Sequence, residues 1–162
     1  MVSKEEKLTV LSKLAAEFNR QDILWAVGAS LLLCLRGYVE DFHDIDLMVS
    51  TEDAAKAEEI LLTFGTLQPS DKGNFATKHF RKFTVDGVEV DLIGGFAIVC
   101  DGEVYDCDLQ KDQITGQAEV CGQQIPLHSI PLWKHYYTLM GREQKVELID
   151  RMSLAAGLLT EN

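Results

Sequence analysis

Two aspartates separated by one apolar residue are the first candidates for chemistry. Asp44 and Asp46 flank Ile45 in the stretch His43-Asp44-Ile45-Asp46-Leu47. Residues two apart in a β-strand project from the same face, so both carboxylates would point together while the apolar residues enter the core. Adjacent carboxylates repel each other unless a proton or a cation neutralises them. Because such oxygen ligands suit a hard divalent ion, the spacing predicts a Mg²⁺ site.

A second acidic strand would add carboxylates to this site. The stretch Val88-Glu89-Val90-Asp91-Leu92-Ile93 alternates apolar and acidic residues, which places Glu89 and Asp91 on one face. A half-exposed strand with an acidic outer face explains this pattern without any function. If the strand pairs with the one that carries Asp44 and Asp46, however, three or four carboxylates meet on one sheet face. Such a cluster is unfavourable without a cation, which makes it a candidate functional site.

A Gly-Ala-Ser turn is the third feature. Gly28, Ala29 and Ser30 lie between the apolar stretches 24–27 and 31–35, which predict a strand followed by a short helix. Glycine permits a sharp turn and a close approach of the backbone to a ligand. The free N–H groups at the start of a helix suit a phosphate, and the Ser30 hydroxyl adds a donor. Most turns of this composition are only turns, so this one gains meaning from the carboxylates.

The elements that position these residues indicate an α/β (α+β) fold. Apolar residues at helical spacing predict an N-terminal helix capped by Ser3, a helix after Ser50 and two C-terminal helices, the first capped by Ser129. Strands are predicted at 24–27, 45–49, 75–85 and 88–93 and within 97–127, with hairpin turns at 86–87, 101–102 and 121–122. This order predicts a mixed β-sheet with helices packed mainly on one face. Without a repeat or linker, residues 1–162 are expected to form a single domain.

The composition restricts the classes of partner. The net charge is -11, from 15 Lys and Arg against 26 Asp and Glu. Duplex DNA is an unfavourable partner, because proteins that bind it need a basic face to displace counterions. The charge favours small cationic substrates, or carboxylates gathered around a metal. With no apolar run near the ~20 residues that span a bilayer and no signal-peptide core, we expect no membrane contact and a cytoplasmic location.

Together these features resemble the nucleotidyltransferases of the DNA polymerase beta superfamily. The stretch Trp25 to Val49 reads WAVGASLLLCLRGYVEDFHDIDLMV and is followed by the apolar-flanked Val90-Asp91-Leu92. Members of the superfamily carry a hydrophobic residue, Gly and a small residue, a short helix, an Asp-hydrophobic-Asp pair and a later third acidic residue. The similarity covers residues 24–93 and is greatest to small single-domain members, the minimal, lincosamide and aminoglycoside nucleotidyltransferases. It implies a nucleotidyltransferase-like mixed sheet with C-terminal helices.

The resemblance also implies a reaction and the residues that perform it. Asp44, Asp46 and Asp91 would be catalytic and would bind two Mg²⁺ ions together with ATP or another nucleoside triphosphate. Glu89 would act as an outer ligand or a general base. The reaction moves a nucleoside monophosphate to an unidentified acceptor, expected to be a small-molecule hydroxyl, and releases pyrophosphate. His43 is expected to be a structural histidine or to lie at the edge of the site, although a proton shuttle stays open.

The expected phosphate-binding part departs from the superfamily pattern. The resemblance assigns the phosphates to the turn, where Gly28 would contribute its backbone N–H, Ser30 its hydroxyl and Ala29 the small residue. Many members also carry an Arg or Lys and a Thr shortly before the aspartate pair, whereas residues 38–43 contain none of these. The candidates for this role elsewhere in the chain are Arg36, Lys78, Arg81 and Lys134.

Three alternatives stay open at this point. Small members of the superfamily can act as antitoxins on a toxin-like protein partner, which co-purification would reveal. A degenerate member would bind a nucleotide or another ligand without transfer, which pyrophosphate release would distinguish. An acidic structural domain would show no metal-dependent rise in melting temperature. The spacing of Trp133, Tyr136, Tyr137 and Met140 predicts core packing of a helix, with base stacking by Tyr136 or Tyr137 as the alternative.

Overall fold

The structure, a computed structural model, describes residues 2–71, 73 and 75–161, with side chains as far as residue 156. The described residues form five α-helices and nine β-strands. The helices are α1 (Lys4–Arg20), α2 (Ala29–Leu35), α3 (Ala54–Phe64), α4 (Ile130–Leu139) and α5 (Glu143–Glu161). The strands are β1 (Trp25–Val27), β2 (Ile45–Val49), β3 (Thr66–Gln68), β4 (His79–Val85), β5 (Val88–Gly94), β6 (Ala97–Cys100), β7 (Glu103–Asp106), β8 (Ile114–Val120) and β9 (Gln123–His128).

Seven of the described strands form one mixed sheet in the order β3-β4-β5-β2-β1-β9-β8. In this sheet β2 pairs in parallel with β5 and antiparallel with β1. β6 and β7 form a separate antiparallel hairpin. β2, which carries Asp46 and directly follows Asp44, is therefore the central strand of the sheet, and hydrogen bonds hold it on both edges.

The helices α1 and α3 cover one face of this sheet, as the sequence predicted. α1 begins at a capping box, in which Ser3 Oγ accepts the Glu6 N–H at 3.1 Å. Its buried face includes Leu11, Leu14 and Phe18. α1 packs across β8 and β9 and α3 across β4 and β5, and the two helices contact each other. Because successive side chains of a strand alternate, Ile45 and Leu47 join this core while residue 46 faces the other way.

Three two-residue turns fix the register of the hairpins. Both central residues have positive φ in Asp86-Gly87, Asp101-Gly102 and Cys121-Gly122, as type I′ turns require. These are the turns that the sequence predicted. The first of them sets the pairing of β4 with β5, which starts at Val85 opposite Val88.

The strand predicted at 75–85 is shorter in the structure. β4 begins at His79, and Phe75 makes only an isolated bridge to Ile98. The reason is that β5 ends at Gly94 and the chain turns at Gly95, where φ is +63°. The segment before β4 then pairs with this turn, since the Lys78 N–H donates to the Gly95 carbonyl at 3.2 Å.

The buried apolar side chains form one continuous core cluster. Within the described part of the chain, no helix is both long and apolar enough to cross a bilayer. The assignment of residues 1–162 to one domain stays a prediction, and residues 1 and 162 lie outside the described range.

Candidate active site

The aspartates predicted from the sequence meet on one face of the sheet. Asp46 on β2 lies directly opposite Asp91 on the parallel neighbour β5. Both side chains therefore leave the sheet on the face that α1 and α3 do not cover. The two carboxyl groups lie side by side on this face. The pairing on which the predicted cluster depended is thus present.

Asp44 lies just before β2 and completes the cluster. It is half-buried, and its carboxyl group lies beside that of Glu89, whose side chain is exposed. Burial, followed by the charges of Asp91 and Glu89, raises the pKa of Asp44 above its usual value. Four acidic side chains therefore share one site, as the alternation along both strands predicted. His43 is exposed beside them.

The surroundings of Asp46 disfavour its charged form. Burial, and then the charges of Asp91 and Asp44, raise the pKa of Asp46 well above its usual value. The charged form of this carboxyl group is therefore unfavourable without a positive charge nearby. The donor chemistry of Asp44, Asp46 and Asp91 fits Mg²⁺. As the side chains stand, no set of three His, Cys, Asp or Glu among the described residues is arranged to hold a metal ion.

A lysine that sequence reasoning missed neutralises part of this charge. Lys82 on β4 pairs across the strands with Asp91, and its Nζ lies 3.1 Å from Asp91 Oδ1. Burial opposes the protonated form of Lys82, but the hydrogen bond and the charge of Asp91 outweigh it and raise the pKa. The signal was present in the sequence. Counting outward from the Asp86-Gly87 turn places Lys82 opposite Asp91.

The basic residues proposed from the sequence lie elsewhere in the structure. Arg36 donates to Thr115 Oγ1 at 3.1 Å, Arg81 pairs with Glu58 at 2.8 Å, and Lys134 pairs with Asp150 at 2.6 Å. Lys78 is exposed beside Gly95. None of these four lines the cavity that contains the carboxylates, whereas two other basic residues do, namely Lys82 and Arg142.

The glycine turn serves the site in a different way from the one expected. The Gly28 N–H donates to the Asp46 carbonyl at 3.1 Å, so it is not free for a phosphate. Gly28 has φ -129°, which any residue adopts, but a Cβ there would lie 2.5 Å from Trp133 Cζ2. The residue with the unusual backbone is Ala29, at φ +52°, which lines the cavity. The half-buried Ser30 follows it in the first turn of α2.

The carboxylates form part of the wall of a cavity of about 400 Å³. The cavity lies between the sheet and α4, because Trp133 and Tyr137 line it together with Asp46 and Asp91. Both aromatic side chains are almost fully buried, so the predicted core packing of α4 is confirmed. They nevertheless face the site, and burial, followed by the charge of Asp46, raises the pKa of Tyr137 to about 12.

A buried histidine holds Trp133 in place. The Trp133 Nε1–H donates to His128 Nδ1 at 3.1 Å, and His128 Nε2 lies 3.2 Å from Gln113 Oε1. Burial lowers the pKa of His128 to about 4. The imidazole is therefore neutral at pH 7, with Nδ1 as the acceptor and Nε2–H as the donor. Sequence reasoning gave this histidine no role, since its partners lie on distant segments.

Solved structures share this fold over nearly the whole chain. A Thermotoga maritima protein assigned as a nucleotidyltransferase is 25% identical, with a TM-score of 0.72 over 95% of this chain and 96% of that one. ANT(2'')-Ia, solved with adenylyl-2''-tobramycin, is 14% identical, with a TM-score of 0.62 over 94% of this chain and 92% of that one. The lincosamide antibiotic adenylyltransferase LnuA, solved with lincomycin, is 11% identical, with a TM-score of 0.58 over 92% and 97%. The last two likenesses show the fold alone.

Sequence comparison identifies the family. No curated protein sequence matches the chain. Residues 10–154, however, match the family profile described as aminoglycoside-2''-adenylyltransferase. The match includes all three aspartates and the glycine turn and extends through α4 into α5. The resemblance drawn from the motifs is thereby confirmed, and the chain belongs to the aminoglycoside-2''-adenylyltransferase family of nucleotidyltransferases.

Proposed function

We propose that this protein transfers a nucleoside monophosphate, adenylate from ATP in the first instance, to a hydroxyl of a small molecule. The observation that carries the proposal is the placement of Asp46 opposite Asp91 on paired strands, with Asp44 beside them, in the wall of a cavity of about 400 Å³. A cavity of this size suits small-molecule ligands. Two adenylyltransferases of similar fold support a small-molecule acceptor, because one was solved with adenylyl-2''-tobramycin and the other with lincomycin.

Asp44, Asp46 and Asp91 are the proposed ligands of two Mg²⁺ ions. When bound, such ions neutralise the charge that develops on the transferred phosphoryl group and its two flanking oxygens. Of the neighbouring acidic groups, Glu89 is exposed beside Asp44, so its carboxylate is placed to accept the proton of the acceptor hydroxyl.

The proposed phosphate contacts come from the start of α2 and from two basic side chains. The amides of Ala29 and Ser30 belong to the first turn of α2, where N–H groups lack helical partners. Ser30 adds a hydroxyl. Lys82 and Arg142 line the same cavity and supply positive charge for the triphosphate. Gly28 contributes space for Trp133 and a hydrogen bond to β2, and no contact with the phosphates.

Two experiments test the proposal. The first is calorimetric titration with ATP and Mg²⁺, and the second is a pyrophosphate-release assay with tobramycin, lincomycin and neutral alcohols as acceptors. We expect binding by the unaltered protein and its loss in Asp46→Asn, with turnover reduced at least about a hundredfold. Asp112→Asn is the matched control, because it removes one charge from an exposed turn at Lys111–Gln113.

Two outcomes would count against it. If the unaltered protein shows no Mg²⁺-dependent heat of binding, it has no nucleotide site and the proposal is wrong. Binding without pyrophosphate release, for every acceptor, would indicate a nucleotide-binding protein that has lost transfer.

A further inference from the structure

Of the three proposed metal ligands, Asp44 alone lies outside the ladder that pairs β2 with β5. Asp46 and Asp91 are opposite each other within that ladder, which begins at Ile45. Asp44 is the residue before it, so the position of its carboxylate depends on the backbone that enters β2. We call this backbone the connecting segment, residues 37–43, which leads from α2 to β2.

A lysine on α1 holds the connecting segment just before Asp44. Lys7 Nζ donates to Asp41 Oδ1 at 3.1 Å and also to the Phe42 carbonyl oxygen. The same ammonium group lies 4.6 Å from the centroid of the Phe42 ring, which is a cation–π contact. Phe42 is itself buried in the core, at 4% exposure. Lys7 therefore contacts both the backbone and a core side chain of the segment.

Asp41 contributes a second hydrogen bond at the same place. Its Oδ1 also accepts the Phe42 N–H at 2.7 Å. This backbone hydrogen bond, and then the one from Lys7, lower the pKa of Asp41, so its carboxylate is charged at neutral pH. The N–H of Phe42 is thus held by Asp41 and its carbonyl by Lys7, and both partners are charged. These contacts restrict the backbone two residues before Asp44.

Packing alone does not account for a lysine at this position. Lys7 is 9% exposed, whereas lysine side chains are rarely buried unless they are paired, because burial disfavours the ammonium group. An apolar side chain of similar length would fill the same space beside Phe42 without this cost. Replacing a buried charge in this way often leaves stability unchanged, although it removes directional contacts. The burial of Lys7 therefore favours a role in the conformation of the connecting segment.

Lys7 and the carboxylate site lie on opposite faces of the sheet. α1 packs on one face, the Asp46 and Asp91 side chains leave the other, and Lys7 is not among the described residues that line the cavity. An effect of Lys7 on the site must therefore pass through the connecting segment. A second lysine of the same helix supports this link, since Lys4 Nζ donates to the Glu40 carbonyl at 2.6 Å.

We propose that Lys7 is a positioning residue of the proposed metal site, and that it holds the connecting segment so that Asp44 lies beside the other two ligands. The inference rests on the proposed function, because it concerns the ligand geometry of the same site. Groups that orient metal ligands commonly change metal affinity about 10- to 100-fold when they are substituted. Loss of the Lys7 contacts should therefore weaken metal binding more than it weakens the fold.

Calorimetric titration with the Mg²⁺ complex of α,β-methylene-ATP tests the proposal. Lys7→Met should raise the Kd of the complex about tenfold, because the side chain keeps its length but loses its contacts with the segment. The difference from the unaltered protein should shrink at high free Mg²⁺, since mass action fills a weakened metal site. A general loss of structure would not respond to Mg²⁺ in this way. The unfolding temperature of Lys7→Met should stay within about 4 °C of that of the unaltered protein.

Two further variants complete the titration. Asp41→Ala should raise the Kd of the complex about threefold, because Lys7 then holds only the carbonyl and the ring of Phe42. Asp41 is more than half exposed, so this variant should fold normally. Lys13→Met is the matched control, since Lys13 lies on the same helix and its Nζ pairs with Asp86 Oδ2 at 3.3 Å on an exposed turn. The Kd should be unchanged in this control.

Hydrogen–deuterium exchange of the metal-free protein provides a measurement that does not depend on a ligand. The amides of residues 41–46 should exchange faster in Lys7→Met than in Lys13→Met or the unaltered protein, because the segment is less restricted. Exchange in α4 should be the same in all three proteins.

The possible failures can be distinguished. If exchange in residues 41–46 is the same in Lys7→Met, the lysine does not hold the segment and the proposal is wrong. If exchange rises but the Kd of the complex changes by less than about twofold, the segment does not set the ligand geometry, and the proposal is again wrong while the proposed function stands. If the unaltered protein does not bind the complex, the proposed function fails and this proposal fails with it.

Discussion

Lys82 places one positive charge against the cluster of carboxylates. Its Nζ contacts Asp91 at 3.1 Å, and the charges of Asp44 and Glu89 also favour its protonated form. We expect Lys82→Gln to lower the free energy of unfolding of the metal-free protein by about 1 kcal/mol, after allowance for solvent screening, because the carboxylates lose a counter-charge. Mg²⁺ should restore this stability, while the KM for ATP should rise. Urea unfolding with and without Mg²⁺ measures the first effect and steady-state kinetics the second.

The control for Lys82 is a lysine pair on the surface. Lys13 Nζ lies 3.3 Å from Asp86 Oδ2, and both side chains are more than half exposed. Such pairs contribute little, so Lys13→Gln should change the free energy of unfolding by no more than about 0.5 kcal/mol and leave the KM for ATP unchanged. Equal effects of the two substitutions, with no rescue by Mg²⁺, would show that Lys82 has no special relation to the site.

Some residues of the site could be predicted from the sequence and others could not. Asp46 and Asp91 were found because alternation along a strand is local, and the apolar residues immediately before and after each aspartate fix its face. Lys82 required only the register of one hairpin, which the Asp86-Gly87 turn sets. Arg142 lines the cavity because α4 ends at Leu139 and the chain then turns at Gly141, where φ is +75°. No local pattern contains that information.

At the scale of elements, α4 determines which residue can occupy the turn between β1 and α2. A Cβ on Gly28 would lie 2.5 Å from Trp133 Cζ2 and 3.1 Å from Met48 Cγ. We expect Gly28→Ala to lower the free energy of unfolding by about 2 kcal/mol, because the buried ring must shift to relieve the overlap. Activity should fall as well, since the same ring lines the cavity that contains Asp46 and Asp91. Urea unfolding followed by tryptophan fluorescence measures the first effect, and the pyrophosphate assay measures the second.

The neighbouring residue provides the opposite substitution. Ala29 has φ +52°, a conformation that favours glycine, and its methyl group packs at the edge of the hydrophobic core. Ala29→Gly should therefore leave the free energy of unfolding unchanged within about 1 kcal/mol, because relief of strain offsets the greater freedom of the unfolded chain. If Ala29→Gly lowers the free energy of unfolding as much as Gly28→Ala does, the turn itself is sensitive to substitution. The effect of Gly28→Ala could then not be assigned to the packing of Trp133.

This turn shows where element-level reasoning from sequence reaches its limit. The positions of strand, turn and helix around Gly28 were predicted correctly, because apolar periodicity and turn residues are local signals. The reason for the glycine was not. Its conformation is ordinary, and the constraint comes from Trp133, which is 105 positions later in the chain. The same applies to β4, whose start depends on the turn that ends β5.

At the scale of the whole molecule, His128 connects three segments around the cavity. It ends β9, receives the Trp133 Nε1–H from α4, and contacts Gln113 on the turn before β8. Its pKa is about 4 in the folded protein, against an ordinary value of 6.5, because burial disfavours the charged ring. Between these two values the unfolded chain binds more protons than the folded one. The stability contributed by this group is therefore present above about pH 6.5 and is lost as the pH falls towards 4.

We therefore expect His128 to lower the free energy of unfolding in mild acid. Between pH 7.5 and pH 5, the free energy of unfolding should fall by about 2 kcal/mol through His128 alone. His128→Asn should be less stable than the unaltered protein at pH 7.5, because Trp133 loses its acceptor, but this difference should shrink at pH 5. Comparing the two proteins by urea unfolding at both values cancels the shared titration of the many carboxylates. If the difference in the free energy of unfolding between the two proteins is the same at both pH values, His128 is not the group that titrates. The neutral imidazole would then not be the group that holds Trp133 at the site.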